Sequence, residues 1–311
     1  MQDYQMMVKA YEEAGGTPDV FKDPKTAHLV VNQNKVLGSQ SIDGLTVTAR
    51  EKERGIDVDL GVDEGTKVAN PVHLCFGVLP REGRQEIKLN ALIRKGAEIR
   101  ILAHCVFPNA IKVQHIMDAL YTLEDGAALT YEEVHYHGVT GGVEVIPHAR
   151  IKVGKDARIM TSFLLVKGRV GTLDIDYQAE ADENGTLEMV ARIYGYGEDK
   201  IRIKETGQLT GRGARGLIKS RIAVRERAES EVISELGASA PNARGHVDCV
   251  EVVQGEATAK AVPLVSVLDE HAQVTHEAAI GRVNQKELET LMSRGLKEEE
   301  AIELIIGGML K

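Results

Sequence analysis

The chemistry open to this chain rests on three cysteines and ten histidines. Cys75, Cys105 and Cys249 are too few, and odd in number, for a disulfide framework. Each is read as a free thiol, either a small buried hydrophobe or a soft metal ligand. In His73-Leu74-Cys75 and in His135-Tyr136-His137 two potential ligands stand two residues apart. Residues i and i+2 of a strand share a face, so each pair could chelate an ion. The neighbours His104 and Cys105 face apart and would not. The bland alternative is that Cys75 and Cys105, set in the apolar runs VHLCFGV and ILAHCVF, are core. One enzyme reading is open to this set, a β-helix metalloenzyme holding zinc through His73, His104, His135 or His137. Other chemistries find no motif. The glycine-rich piece GRGARG lacks the GxxxxGK[ST] layout of a phosphate-binding loop, and neither a nucleophile elbow nor HExxH occurs.

The elements that position these residues are mostly strands. Aromatic residues make up 4% of the chain, there is no Trp, and Gly reaches 31, a balance that suits short strands turned by glycine better than a helical core. Residues 1–26 begin with a helix in which Met7, Ala10 and Tyr11 recur at helical spacing and Gly15-Gly16 make the stop. Residues 27–280 change to apolar segments of about five to seven residues separated by Gly, Asp or Asn turns, as in LVVNQNKVL and ARIKVGKDARIMTSFLLV. No strict hexapeptide period runs through them. The string fits successive rungs of a parallel β-helix that bury one apolar interior. An antiparallel sandwich would give a similar string, and the β-helix is favoured. Residues 281–311 form a helical hairpin. Asn284 is placed to cap the first helix, QKELETLMSR, with Leu288, Leu291 and Met292 on one face. Gly295 ends it, and KEEEAIELIIGGML follows with acids in its first turn and Ala301, Leu304 and Ile305 as its buried face. Such a hairpin caps the β-helix or docks on a partner. A net charge of −9 argues against binding nucleic acid or an anionic membrane. No apolar run is long enough to span a bilayer and no signal peptide opens the chain, so it is expected in the cytoplasm.

The C-terminal third carries a resemblance. Val274-Thr275-His276-Glu277-Ala278-Ala279, then Gly281-Arg282-Val283, then a helix, then Ser293-Arg294-Gly295-Leu296, Glu298-Glu299-Glu300-Ala301-Ile302 and Ile305-Ile306-Gly307-Gly308 resemble the end of SufB/SufD proteins. Upstream, Arg215-Gly216-Leu217-Ile218-Lys219 is similar to that family's YRGLVKI strand, and Gly245-His246-Val247-Asp248-Cys249 to its QCDSLLIG strand. The four motifs agree in order over about residues 205–311. The first 200 residues match in general character alone.

The resemblance implies a right-handed parallel β-helix with a C-terminal helical region. It also implies a scaffold, not an enzyme, that assembles an iron–sulfur cluster, [4Fe-4S] and transient, for recipient apo-proteins. A SufC-like ABC ATPase would dock on the helices and supply the ATP chemistry. The scaffold would pair as a homodimer or as a SufB/SufD-type heterodimer, and the chain looks like the short archaeal SufB-like proteins. Cys249 matches the SufB cysteine that holds the nascent cluster, and thiolate is the ligand such clusters prefer. Glu277 matches the glutamate paired with that cysteine, and a carboxylate would be the weaker, exchangeable ligand. His276 matches the histidine that SufD contributes. Consecutive strand residues point to opposite faces, so Glu277 and His276 serve together only if the strand ends or bulges, and Glu277 is the favoured one of the two. One departure stands out. The stretch MTSFLLVKGRVGTLDIDYQ lacks the sulfur-accepting cysteine that SufB carries upstream of its YRGL motif, which leaves free sulfide, Cys75 or Cys105 as the sulfur route. An architectural SufD-like role, with the cluster held by a partner, is the other reading the resemblance leaves open.

Overall fold

In the computed structural model, which describes residues 2–311, the chain coils into a parallel β-solenoid of about eight turns. Each turn contributes one strand to a ten-stranded sheet and one to a nine-stranded sheet, and the two sheets face each other across a single apolar interior. Glu98, Ala128, Arg158, Thr186, Arg215, Arg244 and Gln273 stack in register, so one turn takes 28 to 30 residues. The strands from Glu82 onward are 9 to 12 residues long, about twice what the apolar runs suggest. The difference lies in the outward positions. Their charged residues look like breaks in the sequence, yet the inward alternation continues beneath them, as in Lys200–Leu209 with Ile201, Ile203, Glu205, Gly207 and Leu209 facing in.

The turns repeat as regularly as the strands. Gly96, Gly126, Asp156, Asn184, Gly213 and Asn242 occupy one corner column, all with positive φ. Only Gly, Asn and Asp adopt that conformation at small cost, which is why the column is built from them. Each of the first five donates its amide to a carbonyl one turn on, at 2.8 to 2.9 Å.

The two ends differ. At the N-terminal end, antiparallel pairing of His28–Asn32 with Lys35–Gln40, and of Leu45–Glu51 with Gly55–Val62, closes each sheet. The helix α1, Gln2–Glu13, buries Met7, Ala10 and Tyr11 on the outer face of the ten-stranded sheet against Val30, Cys75 and Val106. At the C-terminal end the strands Thr258–Val267 and Gln273–Gly281 are the outermost members of their sheets. They leave Leu264, Val265, Val267, Leu268 and Ile280 exposed.

The helices α2, Gln285–Met292, and α3, Glu298–Met309, do not cover that end. They lie on the outer side of the ten-stranded sheet, packing Val283, Leu288, Ala301, Ile306 and Leu310 on Ala223, with Tyr194 and Val252 alongside. Asn284 caps α2 as its position predicts, its side chain accepting from the amides of Lys286 at 2.9 Å and Glu287 at 3.3 Å. Gly295 takes the left-handed conformation that ends this segment. In α3 Ala301 is buried and Ile305 half-buried as expected, Ile306 is buried beside them, and Leu304, expected on this face, is 55% exposed. Among the described residues no helix is long and apolar enough to cross a membrane.

Candidate functional site

The sheet pleat decides which chemistry-bearing residues meet. On the ten-stranded sheet, His28, His73, Cys75 and His104 point outward and are covered by α1. The Tyr11 hydroxyl lies 2.8 Å from His73 Nδ1, and its ring packs on His104 with centroids 4.5 Å apart. Burial pushes the Cys75 thiol up to about 12 and holds His73 and His104 near 4, so this layer is neutral packing under a helix.

Cys105, one residue from His104, points the other way, into the solenoid, where Glu133, His135 and His137 are its neighbours on the next strand. His115 and Gln85 face them from the nine-stranded sheet. The ligand atoms of Cys105, His115 and His135 lie within 4.8 Å of one another, the one such group of three among the described residues. All six side chains are buried. Burial lifts the Cys105 thiol and the Glu133 carboxyl and lowers the three imidazoles to about 3. The sequence pointed to Cys105, His135 and His137. It gave no sign of His115 and Glu133, each of which sits singly at an inward strand position.

Five turns beyond Cys105, Cys249 also points inward, on the strand Arg244–Val253. Its thiol donates to Ser234 Oγ at 3.6 Å across the interior, and Ser220 lies beside it in register. Two carboxyls share this space. Glu205 is fully enclosed with Oε2 unpartnered, and burial pushes it up to about 8. Glu251 accepts from Ser230 Oγ at 2.6 Å and is likewise raised by burial. Burial raises Cys249 too, the two glutamates push the same way, and the hydroxyls of Ser220 and Ser234 pull it back. Both glutamates were missed in the sequence. The signal was there in alternation, since Cys249 and Glu251 are i, i+2 and Glu205 continues the inward series Ile201, Ile203.

The final rung sets the faces of the last two candidates. The ladder from Arg244–Gln273 to Val252–Gly281 runs without a bulge and pairs Val247 with His276, Asp248 with Glu277 and Cys249 with Ala278. His276 therefore shares the inward face of Cys249. Glu277 takes the outward face next to Asp248, whose carboxylate is clamped by Arg221 through two nitrogens. Both His276 and Glu277 are exposed, because no further rung covers them. Within one chain the geometry brings His276, not Glu277, to the side of Cys249.

Residues 88–309 match the family described as SUF system FeS cluster assembly, SufBD core domain. The chain belongs to the SufBD family. Two relatives agree over nearly the whole chain. An iron–sulfur cluster assembly SufBD family protein of Methanocaldococcus jannaschii is 32% identical over 99% of this chain and 98% of its own length. One from Pyrococcus horikoshii is 33% identical over 100% of this chain and 94% of its own. A second Pyrococcus horikoshii member is 32% identical over 81% of this chain but is much longer, the match spanning 56% of it. The SufBD match takes in Cys105, the interior histidines, Cys249 and both C-terminal helices.

Proposed function

We propose that this chain is a scaffold on which an iron–sulfur cluster is built and from which it passes to recipient apo-proteins. The cluster is cargo and not a resident cofactor. The observation that carries the reading is the position of Cys249, an inward thiol one strand below an uncovered edge, in a chain of the SufBD family. Cys249 supplies the thiolate and His276, on the same face of the edge strand, an imidazole. Glu277 offers its carboxylate from the outer face of that strand, where it meets ligands brought by a second copy of the chain or a related subunit. The exposed apolar residues of the last rung, among them Leu268 at 81%, support pairing there.

The α2–α3 hairpin is the proposed dock for an ABC-type ATPase. Leu291, Leu304 and Ile305 line an open apolar groove between the two helices, and Arg225 with Tyr194 holds Glu303 of α3 to the solenoid. A push on α3 would thus be felt by the strands Thr186–Gly195 and Arg215–Val224, the latter lying directly beside the strand that carries Cys249.

Reconstitution with ferrous iron and sulfide in the absence of air tests the proposal. The wild-type chain should develop a visible sulfide-to-iron charge-transfer band, Cys249→Ser should lose it, and His276→Ala should weaken it. A band of undiminished strength in Cys249→Ser would remove Cys249 as a ligand and the reading with it.

A further inference from the structure

The interior around Cys105 carries more than packing. Its hydrogen bonds orient the side chains, and they leave ligand atoms converging on one point. Gln85 Nε2 donates to the carbonyls of Gln33 at 2.7 Å and Gly77 at 3.2 Å, so its Oε1 faces His115 as an acceptor. His115 must then carry its proton on Nδ1, 3.0 Å from that oxygen, which leaves Nε2 as a bare lone pair. That Nε2 is buried and has no hydrogen-bond partner.

The other side is fixed in the same way. His137 Nδ1 donates to the carbonyl of Arg169 at 2.9 Å, so its Nε2 accepts, and His135 must donate to it from Nδ1 at 3.2 Å. His135 Nε2 is therefore the nitrogen turned to the site, 2.7 Å from Glu133 Oε1. The two share one proton. Tyr131 holds the other carboxyl oxygen at 3.1 Å, and Cys105 Sγ stands 3.8 Å from Oε1. An imidazole whose far nitrogen is pinned by an amide oxygen or a second imidazole is the arrangement that orients a metal-ligating histidine.

We propose that Cys105, His115, His135 and Glu133 form a site for one divalent transition-metal ion of the zinc, cobalt or ferrous class, inside the solenoid and apart from Cys249. Two imidazoles and a thiolate select such an ion over magnesium or calcium, which take oxygen ligands. Charge also balances. Binding transfers one proton from the Cys105 thiol and one from the Glu133–His135 pair to solvent, and the resulting thiolate and carboxylate cancel the ion's two charges. The enclosed centre is then neutral overall, which an apolar interior requires. The distance of 2.7 Å between His135 Nε2 and Glu133 Oε1 opens on loading as both turn from their shared proton to the ion. All four ligands are buried, so the ion enters as the chain folds.

The test uses the full chain carrying Cys249→Ala, so that its result stands whether or not the cluster proposal holds. Cells are grown with added Co2+, and the protein is purified without air and passed through chelating resin. We expect about one divalent ion per chain by mass spectrometry of the elements, and visible bands of tetrahedral, thiolate-ligated cobalt. Cys105→Ser and His115→Gln should each lower retained metal about tenfold or more. If either variant fails to fold, X-ray absorption of the parent decides, with one sulfur and two or three nitrogen or oxygen neighbours expected. Metal at a minor fraction of one per chain, metal undiminished in the folded variants, or a cobalt shell without sulfur overturns the proposal.

Discussion

Glu205 should give the solenoid a stability that falls as pH rises, and replacing it with Gln should remove that part of the fall. The carboxyl is fully enclosed, one oxygen lacks a partner, and burial raises it from about 4.5 to about 8. Between those limits the folded chain keeps a proton that the unfolded chain has lost. Stability is therefore whole below about pH 4.5 and declines by about 1.4 kcal/mol for each pH unit up to 8. The contribution lost is about 3 kcal/mol at pH 7 and about 4 kcal/mol at pH 8, where the folded carboxyl is itself half ionised. Gln fills the same volume and stays neutral throughout. Urea unfolding of both proteins at several pH values from 5 to 8 measures the effect. The two should agree within about 1 kcal/mol at pH 5, and the variant should be the more stable by several kcal/mol at pH 8. Glu133 and Glu251, also raised by burial, keep some slope in both proteins, so the difference between the curves is the quantity to read. Curves that stay parallel across the range would refute the assignment of a proton to folded Glu205.

Three further changes probe the frame. Asp199 is buried and accepts from Arg169 Nε at 2.9 Å and from the amides of Val170, Gly171 and Tyr196 at 2.9 to 3.0 Å. Asp199→Ala strands those donors and should cost about 3–5 kcal/mol in urea unfolding. A Cβ on Gly245 would stand 2.6 Å from Leu236 Cδ2, so Gly245→Ala should cost about 1–3 kcal/mol, read as a lower unfolding temperature. Asn284→Ala removes two accepted bonds at the start of α2 and should lower stability by about 1 kcal/mol, with the loss confined to amide exchange in the hairpin.

Much of the architecture is legible in the residues because a solenoid repeats one local rule. Alternation marks the inward face, and Gly, Asn or Asp marks the corner, as Lys152-Val153-Gly154-Lys155-Asp156 does. The length of a turn is not legible from either. It depends on how far inward alternation persists beneath charged outward residues, and Lys204-Glu205 looks like a break although Glu205 is interior. The same limit hid half of each polar cluster. His115 approaches Cys105 from the opposite sheet, and Glu251 meets Ser230 across the same space, pairings set by turn length and not by any nearby sequence. Cys249, Glu277 and His276 were singled out through a resemblance confined to local motifs, with Glu277 favoured over His276, whereas the side on which each points needed the unbroken ladder. In α3 Leu304 was placed inward in place of Ile306 because the apolar residues run together, and only the surface of Ala223 and Val252 chooses among them.

The uncovered end of the stack has a kinetic meaning. Every inner rung is zipped on both sides, but Gln273–Gly281 and Thr258–Val267 are held by one neighbour each. Their own side chains are mostly wet already and each breaks a single ladder on leaving, so peeling them away costs less than opening an inner rung. Cys249 needs no more than that excursion to meet solvent, because Ala278 is the residue lying over it. The Cys105 centre, with several rungs above it, would need far more of the coil to unwind. One interior thus holds two thiols on different clocks, one a single rung from solvent and the other deep in the coil.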